Sequence, residues 1–189
     1  MMFVLEIVAA LSGLLAVWLT VRQNIWCWPV GLVMVILYGI IFFDALLYSD
    51  AGLQGIYFFL QFYGWWAWLN GRGRDGAELP VTRLDLGERS RWIAVALAGT
   101  VGLGWVMSTY TEADLAYWDA STTVLSLVAT YLMARKKLEC WFVWIAVDIL
   151  AIGIYSVKEL YLTAGLYAVF LVLAIMGFFA WKKSESAGT

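Results

Sequence analysis

The stretch CWPVGLVMVILYGIIFFDALLYSDAGL, residues 27–53, returns 113 positions later as CWFVWIAVDILAIGIYSVKELYLTAGL, residues 140–166. Each copy opens with an apolar run close to the roughly 20 residues a helix needs to cross about 30 Å of hydrocarbon. Outward from these runs the match holds without a gap between residues 1–68 and 114–181, with 19 of 68 positions identical, more than a shared apolar composition produces. Arg22 meets Arg135, and Tyr63-Gly64-Trp65-Trp66-Ala67-Trp68 meets Met176-Gly177-Phe178-Phe179-Ala180-Trp181. Even the acid opening each copy recurs, as Glu6 and Asp119. The chain therefore carries an internal repeat made of membrane-spanning pieces.

Composition agrees. Of 189 residues, 63% are apolar and 14% charged, with a mean hydropathy of +0.82. A soluble domain carries about 25% charged residues, so lipid must be the solvent for most of this chain. Seven segments reach spanning length, at roughly 3–21, 28–47, 51–69, 92–110, 118–134, 139–157 and 161–181. The expected architecture is an all-α integral membrane protein with seven transmembrane helices in a 3+1+3 parallel internal repeat. Residues 1–69 form the first three-helix bundle, 70–91 a cytoplasmic loop, and 92–117 the connecting helix four with its loop. Residues 118–181 form the second bundle and 182–189 a cytoplasmic tail. Three spans plus one connector return the second bundle in the orientation of the first, so the relating axis runs along the membrane normal. Such repeats are a transporter architecture, with substrate held between repeats near the midplane.

Eleven of the twelve basic residues fall on one side of these spans and only Lys158 on the other. By the positive-inside rule the C-terminus is cytoplasmic and the N-terminus outside. A net charge of −2 gives no basic excess for nucleic acid. Histidine is absent, which removes the commonest metal ligand and general base. Cys27 and Cys140 show no metal-ligand spacing and read as packing residues. The apolar stretch 3–21 lacks a basic leader and has the length of a span rather than of a cleaved signal.

Asp148 is the anomaly. It sits about ten residues from either end of the 139–157 span, about 15 Å deep at about 1.5 Å per residue. A charge there costs about 2.5–3.5 kcal/mol on insertion scales, and such residues face a cavity or a partner. Its repeat mate is Val35, so the repeat does not require the acid. Trp141, Trp144, Asp148 and Tyr155 share one helical face, and Gln54, Tyr57, Gln61, Trp65 and Trp68 form a similar stripe on helix three. Helix five adds Asp119, Thr122, Thr123 and Ser126, and helix two adds Trp28, Gly31 and Tyr38. A shared central cavity is expected to collect these stripes. Against that reading, Trp26, Trp68, Trp118 and Trp181 lie near span ends, where indoles anchor at the membrane interface. Gln54 and Gln61 equally suit interhelical hydrogen bonds. Aromatic faces attract cations and stack on planar rings, so the ligand read from these groups is small, flat and polar or cationic.

On Gln54 through Trp68, on Trp118-Asp119 and on Cys140-Trp141-Xaa-Xaa-Trp144-Xaa-Xaa-Xaa-Asp148, the chain resembles the Pnu family of bacterial vitamin transporters over nearly its whole length. The resemblance implies seven helices arranged similarly to the sugar-transporting SWEET fold, homotrimeric assembly, the bacterial inner membrane and no cofactor. It also implies facilitated diffusion of a vitamin, which a cytoplasmic kinase then traps by phosphorylation. In that pattern the nicotinamide riboside members place Asn where this chain has Asp148. The exchange is nearly isosteric but leaves an acceptor only, once ionised. It suits the cationic nicotinamide ring, and equally thiamine. The site residues expected on this reading are Trp141, Trp144, Asp148, Gln54, Tyr57, Gln61, Trp65, Asp119, Thr122 and Tyr155. An intramembrane enzyme is disfavoured, because no histidine, cysteine pair or acid cluster supplies metal ligands and Gly71-Arg72-Gly73-Arg74 lacks the spacing of a phosphate loop.

Overall fold

The computed structural model describes residues 2–71, 78–111 and 115–187. Parts of the expected loops, at 72–77 and 112–114, and the last two residues of the tail lie outside the described residues. Seven helices follow in order: α1 Met2–Val21, α2 Cys27–Asp44, α3 Tyr48–Asn70, α4 Leu86–Tyr110, α5 Ala116–Ala134, α6 Cys140–Val157 and α7 Tyr161–Ala187. Each coincides with one of the seven apolar segments, α2 stopping three residues short of its expected end. The largest differences are at α4, which begins six residues before its apolar run, and at α7, which continues six residues beyond its own. The early start of α4 has a local cause: the Asp85 carboxylate accepts from the Glu88 N–H at 2.7 Å, and Glu88 accepts from the Asp85 N–H at 3.1 Å. This capping box satisfies two amides that the helix leaves open.

Among the described residues five helices are long and apolar enough to cross a membrane, namely α1, α2, α4, α6 and α7. The two that fall short are diluted by polar groups. In α3 these are Gln54, Gln61 and a run of tyrosine and tryptophan, and in α5 Asp119 with five serines and threonines. Three hydroxyls of α5 bond back within their own helix: Thr122 donates to the Asp119 carbonyl at 2.9 Å, Ser126 to that of Thr123 and Thr130 to that of Ser126. Such back-bonding satisfies a hydroxyl donor without water.

The turns repeat as the sequence does. α1, α2, α5 and α6 each end with a non-glycine residue in the left-handed region, Gln23, Leu46, Lys136 and Glu159, at φ between 46° and 62°. Gln23 and Lys136 are repeat mates, as are Leu46 and Glu159. In each turn the next amide bonds five residues back, as Asn24 to Leu19 and Lys137 to Leu132 do, both at 2.9 Å, or Leu47 to Phe42 and Leu160 to Tyr155, both at 2.8 Å. This is the Schellman closure, which normally places glycine at the left-handed residue.

The chain divides into two compact units, each with its own packing. The first comprises Met1–Val81, the turn Ala134–Lys136 and the end of α7 from Phe179. In it α2 packs on both α1 and α3, and Gly64 of α3 lies directly against the indole of Trp28. The second comprises Thr82–Met133 and Lys137–Phe178. Here Gly99 and Gly104 of α4 receive Val124 and Tyr117 of α5, and Gly177 of α7 lies against the indole of Trp141. The segment before α4 is fastened to the α5–α6 turn: Leu138 N–H donates to the Thr82 carbonyl at 2.9 Å, and Glu139 accepts from the Leu84 N–H at 3.1 Å and from Arg89 at 2.9 Å.

Candidate functional site

In the second unit, α6 carries the deepest polar group. Asp148 is 3% exposed, and among the described residues no hydrogen bond or ion pair reaches its carboxylate. Its repeat mate Val35 is 2% exposed, so the same slot is closed in both copies and filled by an alkyl group in one and by an acid in the other. One helical turn before Asp148 stands Trp144, half-buried, with its indole Nε1 enclosed and without an acceptor among the described residues. An unpaired buried N–H costs about 1–3 kcal/mol. The acid and this indole stand about one helical turn apart on one face of α6. Trp141 on the same face is nearly fully buried against Gly177 and serves the α6–α7 packing. Tyr155, two turns beyond Asp148, stacks on Tyr167 of α7 with centroids 5.4 Å apart and planes at 23°.

The two candidates on α5 have partners already. Asp119 receives Lys158 Nζ at 3.5 Å, both side chains about one-third exposed, and the Thr122 hydroxyl donates to the Asp119 carbonyl.

In the first unit the α3 stripe faces α2 in part. The Gln61 amide occupies the space that a side chain at Gly31 would fill; a Cβ there would lie 2.6 Å from Nε2 and 2.8 Å from Oε1. The mates of this pair are Trp144 and Ala174. Small-with-large in one copy thus becomes large-with-small in the other, which exchanges an amide for an indole. Gln54, with its Cβ near Gly39, lines an α2–α3 groove of about 480 Å³ together with Val35, Asp44 and Phe58. The groove is otherwise apolar and opens beside Ile36, Ile40 and Phe43, all widely exposed, so it is a cleft of the lipid-facing kind. Tyr57 and Trp65 are half-buried, Trp65 beside Phe62 at 6.4 Å.

Among the tryptophans at span ends, Trp26 and Trp118 are exposed, as interface anchors are. Trp68 and Trp181 are not anchors: they are 8% and 0% exposed and lie against each other, centroids 6.1 Å apart. Trp181 Nε1 donates to the Thr20 carbonyl at 2.9 Å, which draws the indole inward. Sequence reasoning also passed over Gly31 as the seat of Gln61. The signal was present in the repeat, where the mates differ in size in opposite senses.

The comparisons with known proteins converge. The family described as "Nicotinamide mononucleotide transporter" matches residues 3–183. The nicotinamide riboside transporter PnuC of Escherichia coli (strain K12) is 29% identical over 95% of this chain and 85% of its own length. PnuC of Neisseria mucosa is 30% identical over 93% of this chain and 71% of its own. The riboflavin/roseoflavin transporter RibM of Streptomyces davaonensis is 29% identical over 93% and 83%. A crystal structure of the vitamin B3 transporter PnuC superposes with a TM-score of 0.78 at 26% identity, covering 98% of this chain and 83% of that one.

Proposed function

The chain belongs to the nicotinamide mononucleotide transporter family, and from that premise we propose that this transporter, which is not an enzyme, carries nicotinamide riboside across the bacterial inner membrane by facilitated diffusion. One observation carries the choice of cargo: the buried carboxylate of Asp148, one turn from the indole N–H of Trp144, both without a hydrogen-bond partner among the described residues. A pyridinium ring brings a positive charge and a flat face, which an acid and an indole both favour. The uncharged ring system of riboflavin, the cargo in the name of one relative, can donate hydrogen bonds to the acid but brings no charge to pair with it. Thiamine is also cationic and is the competing reading of the same two groups.

Trp141, Trp144, Asp148, Tyr155, Asp119 and Thr122 on the second unit, and Gln54, Tyr57, Gln61 and Trp65 on the first, are the proposed substrate contacts during passage. The amides of Gln54 and Gln61 suit ribose hydroxyls. The 3+1+3 parallel arrangement, with α3 and α5 also crossing the bilayer, is supported by the turns that recur at the repeat offset. The basic-rich end is placed in the cytoplasm, with the N-terminus outside. Assembly as a homotrimer and capture of the product by a cytoplasmic vitamin kinase belong to the same reading. Calorimetry on the purified protein with nicotinamide riboside, thiamine and riboflavin tests it. Binding of the first with no heat from riboflavin is expected, and preference for thiamine or riboflavin overturns the assignment.

A further inference from the structure

At the basic end of the first unit, two pairs of repeat mates touch each other directly. Lys136 Nζ donates to Gln23 Oε1 at 3.1 Å, and Trp68 meets Trp181 at 6.1 Å. On the parallel-repeat reading, an axis that exchanges the two copies passes between mates in contact, and both pairs mark where it would leave the protein. The ammonium of Lys136 also lies 4.4 Å from the centroid of the Trp68 ring, within cation–π range. Lys136 is 3% exposed although it stands in a turn between helices. Its backbone takes a left-handed conformation, φ 46°, where glycine is the usual occupant. A lysine held there meets a backbone cost and a desolvation cost, which its contacts with Gln23 and Trp68 offset. Burial lowers its pKa from the ordinary lysine value, with Glu78 opposing the shift, so the closed arrangement holds a poorly hydrated charge that gains water on opening.

We propose that Lys136, seated on Trp68 and Gln23, is the cytoplasmic gate of the transport cycle. This rests on the parallel-repeat transporter reading above, in which cargo sits on the axis and must leave along it. The ends of α1, α3 and α7 and the α5–α6 turn converge on this latch, through Thr20, Trp68, Trp181 and Lys136. Release requires the mates to part, which breaks the amide hydrogen bond and lifts the ammonium from the ring. Cys27, 4% exposed and close enough to interact electrostatically with Lys136, is a native reporter of that opening.

Two measurements test the gate. In a Cys140→Ala background, maleimide labelling of Cys27 is expected to rise about tenfold with Lys136→Met, the size of a modest population shift. Lys136→Arg, which keeps the cation on the ring, is expected to label as the parent does. In a background with Cys27 and Cys140 both replaced by alanine, Gln23→Cys with Lys136→Cys is bridged by a short bis-thiosulfonate. Counterflow of labelled nicotinamide riboside in proteoliposomes should then fall to background, return on reduction, and leave calorimetric binding within about twofold. Bridged protein that transports at the unbridged rate overturns the gate while leaving the transporter reading intact, as does Cys27 labelling that ignores Lys136→Met. Absence of uptake and binding in the unaltered chain overturns both.

Discussion

Gly64 lies so close beneath the indole of Trp28 that a single methyl group there would overlap the ring, and 113 residues later Gly177 meets Trp141 in the same way. The contact brings α3 onto α2 and α7 onto α6 at backbone distance. It relies on close packing, the main source of helix association in lipid, where the hydrophobic effect between helices is absent.

Gly64→Ala and Gly177→Ala are therefore each expected to destabilise the protein by about 1–3 kcal/mol, the usual range for overpacking. Gly52 and Gly165, also repeat mates, have nothing within 4 Å of an added Cβ. Alanine at either should be neutral or stabilising by up to about 1 kcal/mol, because glycine within a helix is unfavourable. Thermal melts of the four variants in detergent check the contrast, and equal effects at all four positions would contradict the packing described.

Replacing Asp148 separates charge from shape. Asp148→Ala removes a charged hydrogen-bonding group worth about 1.5–3 kcal/mol, so affinity for nicotinamide riboside should fall about ten- to hundredfold. Asp148→Asn keeps the size but removes the charge, and should lose about threefold to tenfold in affinity, less than the alanine variant. Calorimetry reads both, and unchanged affinity in the alanine variant removes the residue from the site.

Gly31→Ala should behave as a mild copy of Gln61→Ala, since its methyl would displace the Gln61 amide. Loss of one neutral hydrogen bond predicts a roughly threefold to tenfold weaker affinity for both. The double variant should be no worse than the singles, because the two act through one contact. Additive losses would show that Gly31 matters for some other reason.

Leu46 and Glu159 hold left-handed turns at exposed positions, φ 62° and 58°. Glycine at either relieves a strain of about 1–2 kcal/mol, partly offset by the greater freedom of the unfolded chain. Melting temperatures should rise for Leu46→Gly and Glu159→Gly and not for Gln23→Gly, whose side chain accepts from Lys136.

Lys158→Cys should react with a membrane-impermeant maleimide on intact cells, and Ser186→Cys only after the membrane is opened. The reverse pattern would invert the topology drawn from the basic residues.

Helix positions were legible because hydropathy reports the bilayer, and the bounds of α2 and α6 lie close to the apolar runs that announce them. The water-exposed turns of α4 and α7 carry no such signal. For α4 the Asp85-Leu86-Gly87-Glu88 capping pattern was the cue that a hydropathy reading overlooks. Asp148 was legible because an acid inside an apolar run has no cheap explanation. Trp68 and Trp181 were misread, since position along a span gives depth in the membrane and leaves open which way an indole turns. Lys136 counted only as one more positive charge, because burial of a turn residue depends on chains that meet there from distant parts of the sequence.

The acid at 148, whose repeat mate is valine at 35, has a wider meaning. Two identical three-helix chains paired about a dyad would present every group twice, acid with acid and indole with indole. Tandem fusion into one polypeptide frees each position to drift from its twin while the shared turns stay fixed. Such a scaffold, released from its own symmetry, can carry an acid in one copy where the other keeps an alkyl group.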